Sequence, residues 1–435
     1  MFDQGREALM DWVGVRAVMG GAAAPPPRDG THRAVFASRP QVHAGGRIGR
    51  VSAVQSCGTR GSSMKTLGKQ AAGQRLARMK ASPRWDGEGF KNLYPALPDL
   101  KAGSMPRIGE FLCGPRRVPK APLPAVDPRP AWARPPETGF RATWLGHSTV
   151  LLEIDGVRIL TDPVWGERAS PLSFAGPRRF QPIPVPVAAL ADVDLVLISH
   201  DHYDHLDYAT IRELVRAPVP FVTSLGVGAH LEAWGIPAGR ITELDWWESV
   251  RVGDSEVTVT ATPSQHFSGR GPGMRNTTLW SGFAVRSGRH SAFFSGDTGL
   301  TPEYADIRDR LGPFELVMLE VGAFHSSWGD IHLGPERALA ALEFLGGGML
   351  LPVHWGTFSL AVHAWDDPAE QLMARAPKRG VQLVMPRLGA AFEPARVGDV
   401  EPWWRAIAAL ERGDEPIEEP SAAEREVAEI VWPLD

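Results

Sequence analysis

Short apolar runs rich in Val, Ile and Leu recur between residues 142 and 385, and most end in a polar loop marked by Gly or Pro. Their length and composition predict strands at 142–145, 150–154, 157–161, 194–198, 241–244, 257–262, 278–285, 291–294, 316–320, 349–353 and 381–385. Asp155-Gly156 predicts a hairpin turn between the second and third. Helical spacing appears at 70–79, 207–215 with Asp207 as N-cap, 226–234, 302–311, 335–345 with Pro335 in the first turn, 368–376, 403–411 and 422–430. Many strands with interspersed helices and no strict βαβ alternation predict an α+β fold of sheets packed together and covered by helices.

The flanks break this pattern. Residues 1–63 are rich in Gly, Ala, Pro and Arg and lack apolar periodicity, so they are expected to be a disordered extension, or to precede a true start at Met64. Asp3 and Glu7 argue against a signal peptide. Residues 64–136 are expected to form an N-terminal helix and a proline-rich extended strap, Pro119-Lys120-Ala121-Pro122-Leu123-Pro124, packed on a domain of residues 137–435.

One loop concentrates metal-ligating chemistry. After 194–198 the chain reads Ser199-His200-Asp201-His202-Tyr203-Asp204-His205-Leu206-Asp207. Imidazole with carboxylate suits zinc and similar first-row metals. Four such groups on one loop exceed what one ion would take from it. Asp204 and His205 would face away from His200 and His202, so the loop reads as half of a two-metal site. A solvated polar loop is the alternative, but three of the 13 histidines fall here. Three further candidates follow strands in the same way: His266 in Thr262-Pro263-Ser264-Gln265-His266, Asp297 in Ser295-Gly296-Asp297-Thr298-Gly299, and His354 in Pro352-Val353-His354-Trp355-Gly356. Each alone reads as a turn residue; together with the cluster they point to one site at a converging sheet edge.

Composition narrows the class. With 46 Lys and Arg against 50 Asp and Glu, no overall field favours nucleic acid. Two cysteines, Cys57 and Cys113, supply neither a disulfide framework nor a thiolate metal signature. No apolar run approaches the ~18–20 residues of a membrane span, so a cytoplasmic protein is expected.

His200-Asp201-His202-Tyr203-Asp204-His205 resembles the His-x-His-x-Asp-His signature of the metallo-β-lactamase superfamily, whose fold is a four-layer αββα sandwich. Within it the chain is similar to the N-acylphosphatidylethanolamine phospholipase D group. That similarity rests on Trp144-Leu145-Gly146-His147-Ser148-Thr149-Val150, Leu160-Thr161-Asp162-Pro163, Gly176-Pro177-Arg178-Arg179-Phe180, Leu244-Asp245-Trp246-Trp247-Glu248 and His354-Trp355-Gly356-Thr357-Phe358, and spans roughly residues 80–395. The resemblance implies two zinc ions: one held by His200, His202 and His266, the other by Asp204, His205 and His354, with Asp297 bridging. It also implies required roles for Asp162, read as orienting a ligand imidazole, and for His332, read as contacting the substrate phosphate or leaving oxygen. His147 is read as structural; His230, His290, His325 and His363 are left unassigned. Asp201 and Phe267 stand where mammalian-type members have Asn and Trp.

The implied reaction is phospholipase D-type hydrolysis of N-acyl phosphatidylethanolamine or a related phosphodiester by a metal-activated hydroxide. Asp297 would orient it, and His332 or Tyr203 would assist the leaving group. Lactone, β-lactam or soluble phosphoester hydrolysis is the alternative on the same fold. Arg270 and Arg275 on the rim at 268–276 read either as phosphate-facing or as solvated. A lipid substrate implies peripheral contact with the inner membrane face, for which Trp85, Phe90, Leu93 and Leu97 are candidates, unless they pack on the core. Oligomeric state is left open, a homodimer included.

Overall fold

The computed structural model describes residues 65–94, 116–325 and 330–412, together with the backbone of 33–35; of 410–412 only the backbone is described. In chain order its strands are β1 (Arg33–Val35), β2 (Phe140–Gly146), β3 (Thr149–Ile154), β4 (Val157–Thr161), β5 (Leu195–Ile198), β6 (Phe221–Ser224), β7 (Ile241–Leu244), β8 (Ser249–Val252), β9 (Thr258–Thr262), β10 (Gly282–Arg286), β11 (Ser291–Phe294), β12 (Leu316–Glu320), β13 (Met349–Val353) and β14 (Ala391–Phe392). They form two seven-stranded sheets, ordered β14-β2-β3-β4-β5-β6-β7 and β1-β8-β9-β10-β11-β12-β13. Each sheet is therefore six consecutive strands plus one edge strand from elsewhere. Within those six consecutive strands each sheet begins antiparallel and ends in parallel strands, β4 to β7 in the first and β11 to β13 in the second; the added edge strand is antiparallel in the first and parallel in the second.

Alternation explains the layering. In β5, Leu195 and Leu197 join the core between the sheets, whereas Val196 and Ile198 face a second core with Ile211, Leu214 and Leu231 of the helices Tyr208–Leu214 and Gly228–Ala233. A strand buried on both faces reads as a continuous apolar run. On the second sheet, Ala338, Leu339 and Leu342 of the helix Gly334–Phe344 pack on the same large core as Leu319 and Leu351. The result is the four-layer αββα sandwich.

Several elements differ from expectation. The predicted strand 381–385 makes one bridge, Leu383 to Leu350. Leu350 N–H donates to the Gln382 carbonyl and Val384 N–H to the Leu350 carbonyl, both at 2.9 Å. The next N–H on that side of β13 would belong to Pro352, which has none, so the ladder stops. β6 and β8 carry too mixed a pattern to be predicted. Of residues 1–63, Arg33–Val35 pair in parallel with β8; the rest of that expected extension, and the predicted helix 422–430, lie outside the described residues. The helix Gly73–Lys80 and the strap pack on the core: Leu123, 3% exposed, exchanges two hydrogen bonds with the Gln181 amide.

Candidate metal centre

The candidates sit one to four residues beyond strand ends: His200 after β5, His266 after β9, Asp297 after β11, His354 after β13 and Asp162 after β4. The backbone turns sharply there. Gly296 has φ 57°, and three non-glycine residues adopt positive φ: His147 (52°), Asp162 (32°) and His354 (66°). Such angles are costly for residues with a Cβ and cluster where a side chain must be aimed.

The structure brings all seven predicted ligands together. His202 Nδ1 lies 2.9 Å from His200 Nε2 and 3.2 Å from His266 Nε2. Asp297 Oδ2 lies 3.9 Å from His200 Nε2, 3.8 Å from His266 Nε2, 3.1 Å from His205 Nε2 and 3.2 Å from His354 Nε2. Asp204 Oδ2 lies 3.5 Å from His205 Nε2 and 3.3 Å from His354 Nε2. Donors bound to one tetrahedral zinc at ~2.1 Å stand roughly 3.4 Å apart, and these separations bracket that value. Although close to carboxylate oxygens, the buried His205 Nε2, His354 Nε2 and Asp297 Oδ1 line up with no hydrogen-bond partner. Buried polar atoms are almost always paired. Orphaned imidazole nitrogens and a carboxylate oxygen around one space, each with a lone pair to present, fit a cation they would share. Among the described residues three overlapping sets can hold an ion: His200, His202, His266 and Asp297; His147, Asp204, His205 and His354; and Asp297, His332 and His354.

The surroundings orient these rings. Asp162, fully buried, accepts from Ser199 N–H (2.7 Å) and Ser199 Oγ–H (2.6 Å), and its Oδ2 lies 2.7 Å from His205 Nδ1. His205 is thereby left to present Nε2. His266 Nδ1 faces the Ile331 carbonyl at 2.9 Å, which turns its Nε2 inward. His332 Nδ1 lies 3.2 Å from Glu320 Oε1 at the end of β12, and its ring stands 5.1 Å from that of His266 and 5.5 Å from that of His354.

Burial and charge divide the imidazoles. Burial, reinforced by neighbouring imidazoles, holds His200 and His266 well below the usual range, and burial also lowers His202 despite nearby carboxylates. At His354 burial is outweighed by Asp297 and Asp204, which push it up to about 10; His205 is raised by the same carboxylates and Asp162. Burial would raise Asp204 and Asp297, but the surrounding imidazoles hold both well below the usual carboxylate range. At His332 Glu320 outweighs burial and raises the ring.

Other expectations need correction. Tyr203 is not aimed at a leaving group: its hydroxyl donates to the Arg270 carbonyl at 2.5 Å. Arg270 is not a phosphate-facing rim residue. It is 2% exposed, and its guanidinium donates to the carbonyls of Asp201, Leu206 and Thr66 while covering the Tyr203 ring at 4.0 Å. Arg275 is exposed and sits over Phe267. His147, read as structural, reaches the site, with Nε2 3.1 Å from Asp204 Oδ2 and its ring 4.0 Å from that of His354. Its position in the β2–β3 turn beside Gly146 was the available signal. Glu320, at a strand end like the ligands, was missed. Of the proposed membrane-facing residues, Phe90 is buried against Trp85; Leu93 is exposed, and Leu97 lies outside the described residues. The most exposed large apolar side chain among the described residues is Phe174.

A family model described as a β-lactamase superfamily domain matches residues 157–355. An uncharacterized protein of Mycobacterium tuberculosis is 45% identical over 346 residues, 78% of this chain and 91% of its own length. An N-acyl-phosphatidylethanolamine-hydrolyzing phospholipase D of Caenorhabditis elegans is 36% identical over 273 residues, 59% of this chain and 76% of its own. Among solved structures, a metallo hydrolase from Ignicoccus hospitalis aligns over 58% of this chain and 98% of its own with a TM-score of 0.46 and 22% identity.

Proposed function

The chain belongs to the metallo-β-lactamase superfamily, with relatives of the N-acylphosphatidylethanolamine phospholipase D type, and on that premise we propose that it is a dinuclear zinc phosphodiesterase hydrolysing N-acyl phosphatidylethanolamine or a related phospholipid. That it is a metal-dependent hydrolase follows from the family and from the His/Asp clusters able to hold metal. The observation that best supports the dinuclear reading is Asp297 Oδ2, placed between two imidazole sets at 3.1–3.9 Å from four nitrogens. In this reading His200, His202 and His266 would hold one zinc and Asp204, His205 and His354 the other, with Asp297 within reach of both sets.

When bound, the two ions supply a water of lowered pKa and positive charge for the phosphate oxygens. The chain does the rest. Asp297 sits where it can orient that water. Asp162 fixes the His205 ring and tautomer, as carboxylates behind ligand imidazoles do. Glu320 raises the His332 imidazole, and in this reading His332 would bind a phosphate oxygen or give its proton to the departing alcohol oxygen. No Ser or Cys nucleophile is required.

A phospholipid is met at a bilayer surface. No helix of the described residues is long and apolar enough to cross a membrane, so our reading is peripheral contact at the cytoplasmic face, with exposed Phe174 as a contact residue. Hydrolysis of N-acyl phosphatidylethanolamine should yield phosphatidic acid and N-acylethanolamine, stop after chelation, return with zinc, and be lost in Asp297→Asn. Turnover that survives chelation would refute the mechanism. Turnover of lactones but of no phospholipid would refute the substrate.

A further inference from the structure

We propose that Asn92 is a positioning residue of the metal centre, holding the backbone of His266 by a two-point amide pairing. This rests on reading His200, His202, His266 and Asp297 as one metal-binding set. Asn92 lies outside the stretch matched by the family model, in a segment with no strand of its own. Its Nδ2–H donates to the His266 carbonyl at 2.9 Å, and its Oδ1 accepts the His266 N–H at 3.0 Å. One flat amide thus faces one peptide residue, as adjacent strands do, and fixes both the position and the tilt of His266. With Nδ1 turned to Ile331, the imidazole has one nitrogen left to present inward.

Asn92 is itself held. Trp280 Nε1–H donates to the same Oδ1 at 3.1 Å and to the Ser264 carbonyl at 2.9 Å, joining Asn92 to the chain leading into His266. Two residues earlier, Phe90 is buried, and its N–H donates to the Asn276 carbonyl at 2.8 Å. Gly89 is required there: a Cβ would stand 2.7 Å from the Asn276 oxygen.

The same segment reaches the other ligand loop. Lys69 N–H donates to His230 Nδ1 at 3.0 Å, so His230 carries its proton on Nε2, 3.4 Å from Asp201 Oδ2 between His200 and His202. The other oxygen of Asp201 accepts Gly269 N–H at 2.8 Å. Residues 65–92 therefore brace both loops that carry the first ligand set, and Asn92 pairs directly with a proposed ligand residue.

The test is metal affinity in the full chain. Chelator-stripped wild type, Asn92→Ala and Asn92→Asp are titrated with zinc alone against a chromophoric competitor, giving two stepwise constants. Asn92→Ala should weaken one constant about 10–100-fold, the usual range for residues that orient ligands, and leave the other unchanged. Asn92→Asp keeps the acceptor and loses the donor, so it should fall between. It also carries the test if the alanine variant does not fold. The loss should persist in a His354→Ala background, where the first set remains, and vanish in His202→Ala. Unchanged constants, or equal weakening of both, would overturn the role of Asn92. A wild-type protein that takes up no zinc would overturn the metal reading with it, so the two failures are distinguishable.

Discussion

Loading the centre with metal should expel protons, and unevenly between its two halves. An imidazole must be neutral to bind a metal. Burial holds His200 and His266 well below the usual range and lowers His202, so at pH 7 these are neutral beforehand. His354 is the opposite: burial is overcome by Asp297 and Asp204, and its pKa stands at about 10. At pH 7 it is three units below that value, protonated in all but about one molecule in a thousand, and stripping the proton costs ~4 kcal/mol. His205 is displaced in the same direction. The Asp204, His205 and His354 side should therefore release protons from its imidazoles on loading, and the His200, His202 and His266 side none from its own. Isothermal titration of chelator-stripped protein with zinc, repeated in buffers of different ionisation enthalpy, reads their number as the slope of observed against buffer enthalpy. The zinc affinity of the proton-releasing side should rise with pH around pH 7, by about tenfold per pH unit for the proton on His354. His354→Gln should lower the count by one. A slope near zero, or two constants with the same pH dependence, would refute the electrostatic reading of the site.

Three further outcomes are expected. Asp162→Asn removes the carboxylate behind His205 Nδ1 and sets an amide against Ser199 N–H; zinc competition should show one site weakened about 10–100-fold. Arg270→Met leaves the carbonyls of Asp201, Leu206 and Thr66 without their donor in a buried place; at ~1–3 kcal/mol for each unsatisfied group, urea unfolding should show a loss of at least ~3 kcal/mol, and Arg270→Lys should not restore it. Metal-free protein should lose stability as pH rises from 6.5 towards 10. The folded pKa of His354 lies above its ordinary value, so the stabilisation is complete below pH 6.5 and is lost as pH passes about 10; urea melts in chelator at pH 7 and 9.5 check this, and identical midpoints would contradict it.

The ligands were legible because strands buried on both faces leave long apolar runs that stop abruptly, and because His and Asp just beyond those stops are unusual. β4, β11, β12 and β13 were readable to the residue for that reason. β8, Ser249–Val252, alternates polar and apolar over four residues and resembles any loop. The strand expected at 381–385 failed through its partner: the missing N–H of Pro352 is a property of β13, which no reading of 381–385 alone reveals. Arg270 and Tyr203 misled for a related reason. An arginine in a glycine-rich loop and a tyrosine in a metal motif suggest chemistry, whereas here three carbonyls from two segments and one loop carbonyl absorb their donors. Asn92 carries no pattern at all, because its role depends on which chain segments meet; His147 offers only its place in the β2–β3 turn beside Gly146.

The two sheets meet at the metal centre as well as at the apolar core. His200, His202, Asp204 and His205 extend from the first sheet, and His266, Asp297 and His354 from the second. In the proposed assignment each ion takes ligands from both, so each ties the sheets together at the rim of an interface otherwise built of apolar side chains such as Leu197, Phe283 and Leu319. The left-handed backbone at His147, Asp162 and His354 fits the same picture. Strain of order 1–3 kcal/mol at each position is tolerable where the surrounding packing fixes the chain and binding returns more than the strain costs. Metal loading and sheet packing are then one cooperative unit, which places the specificity of the enzyme in the loops around the centre and its durability in the strand tips that carry the ligands.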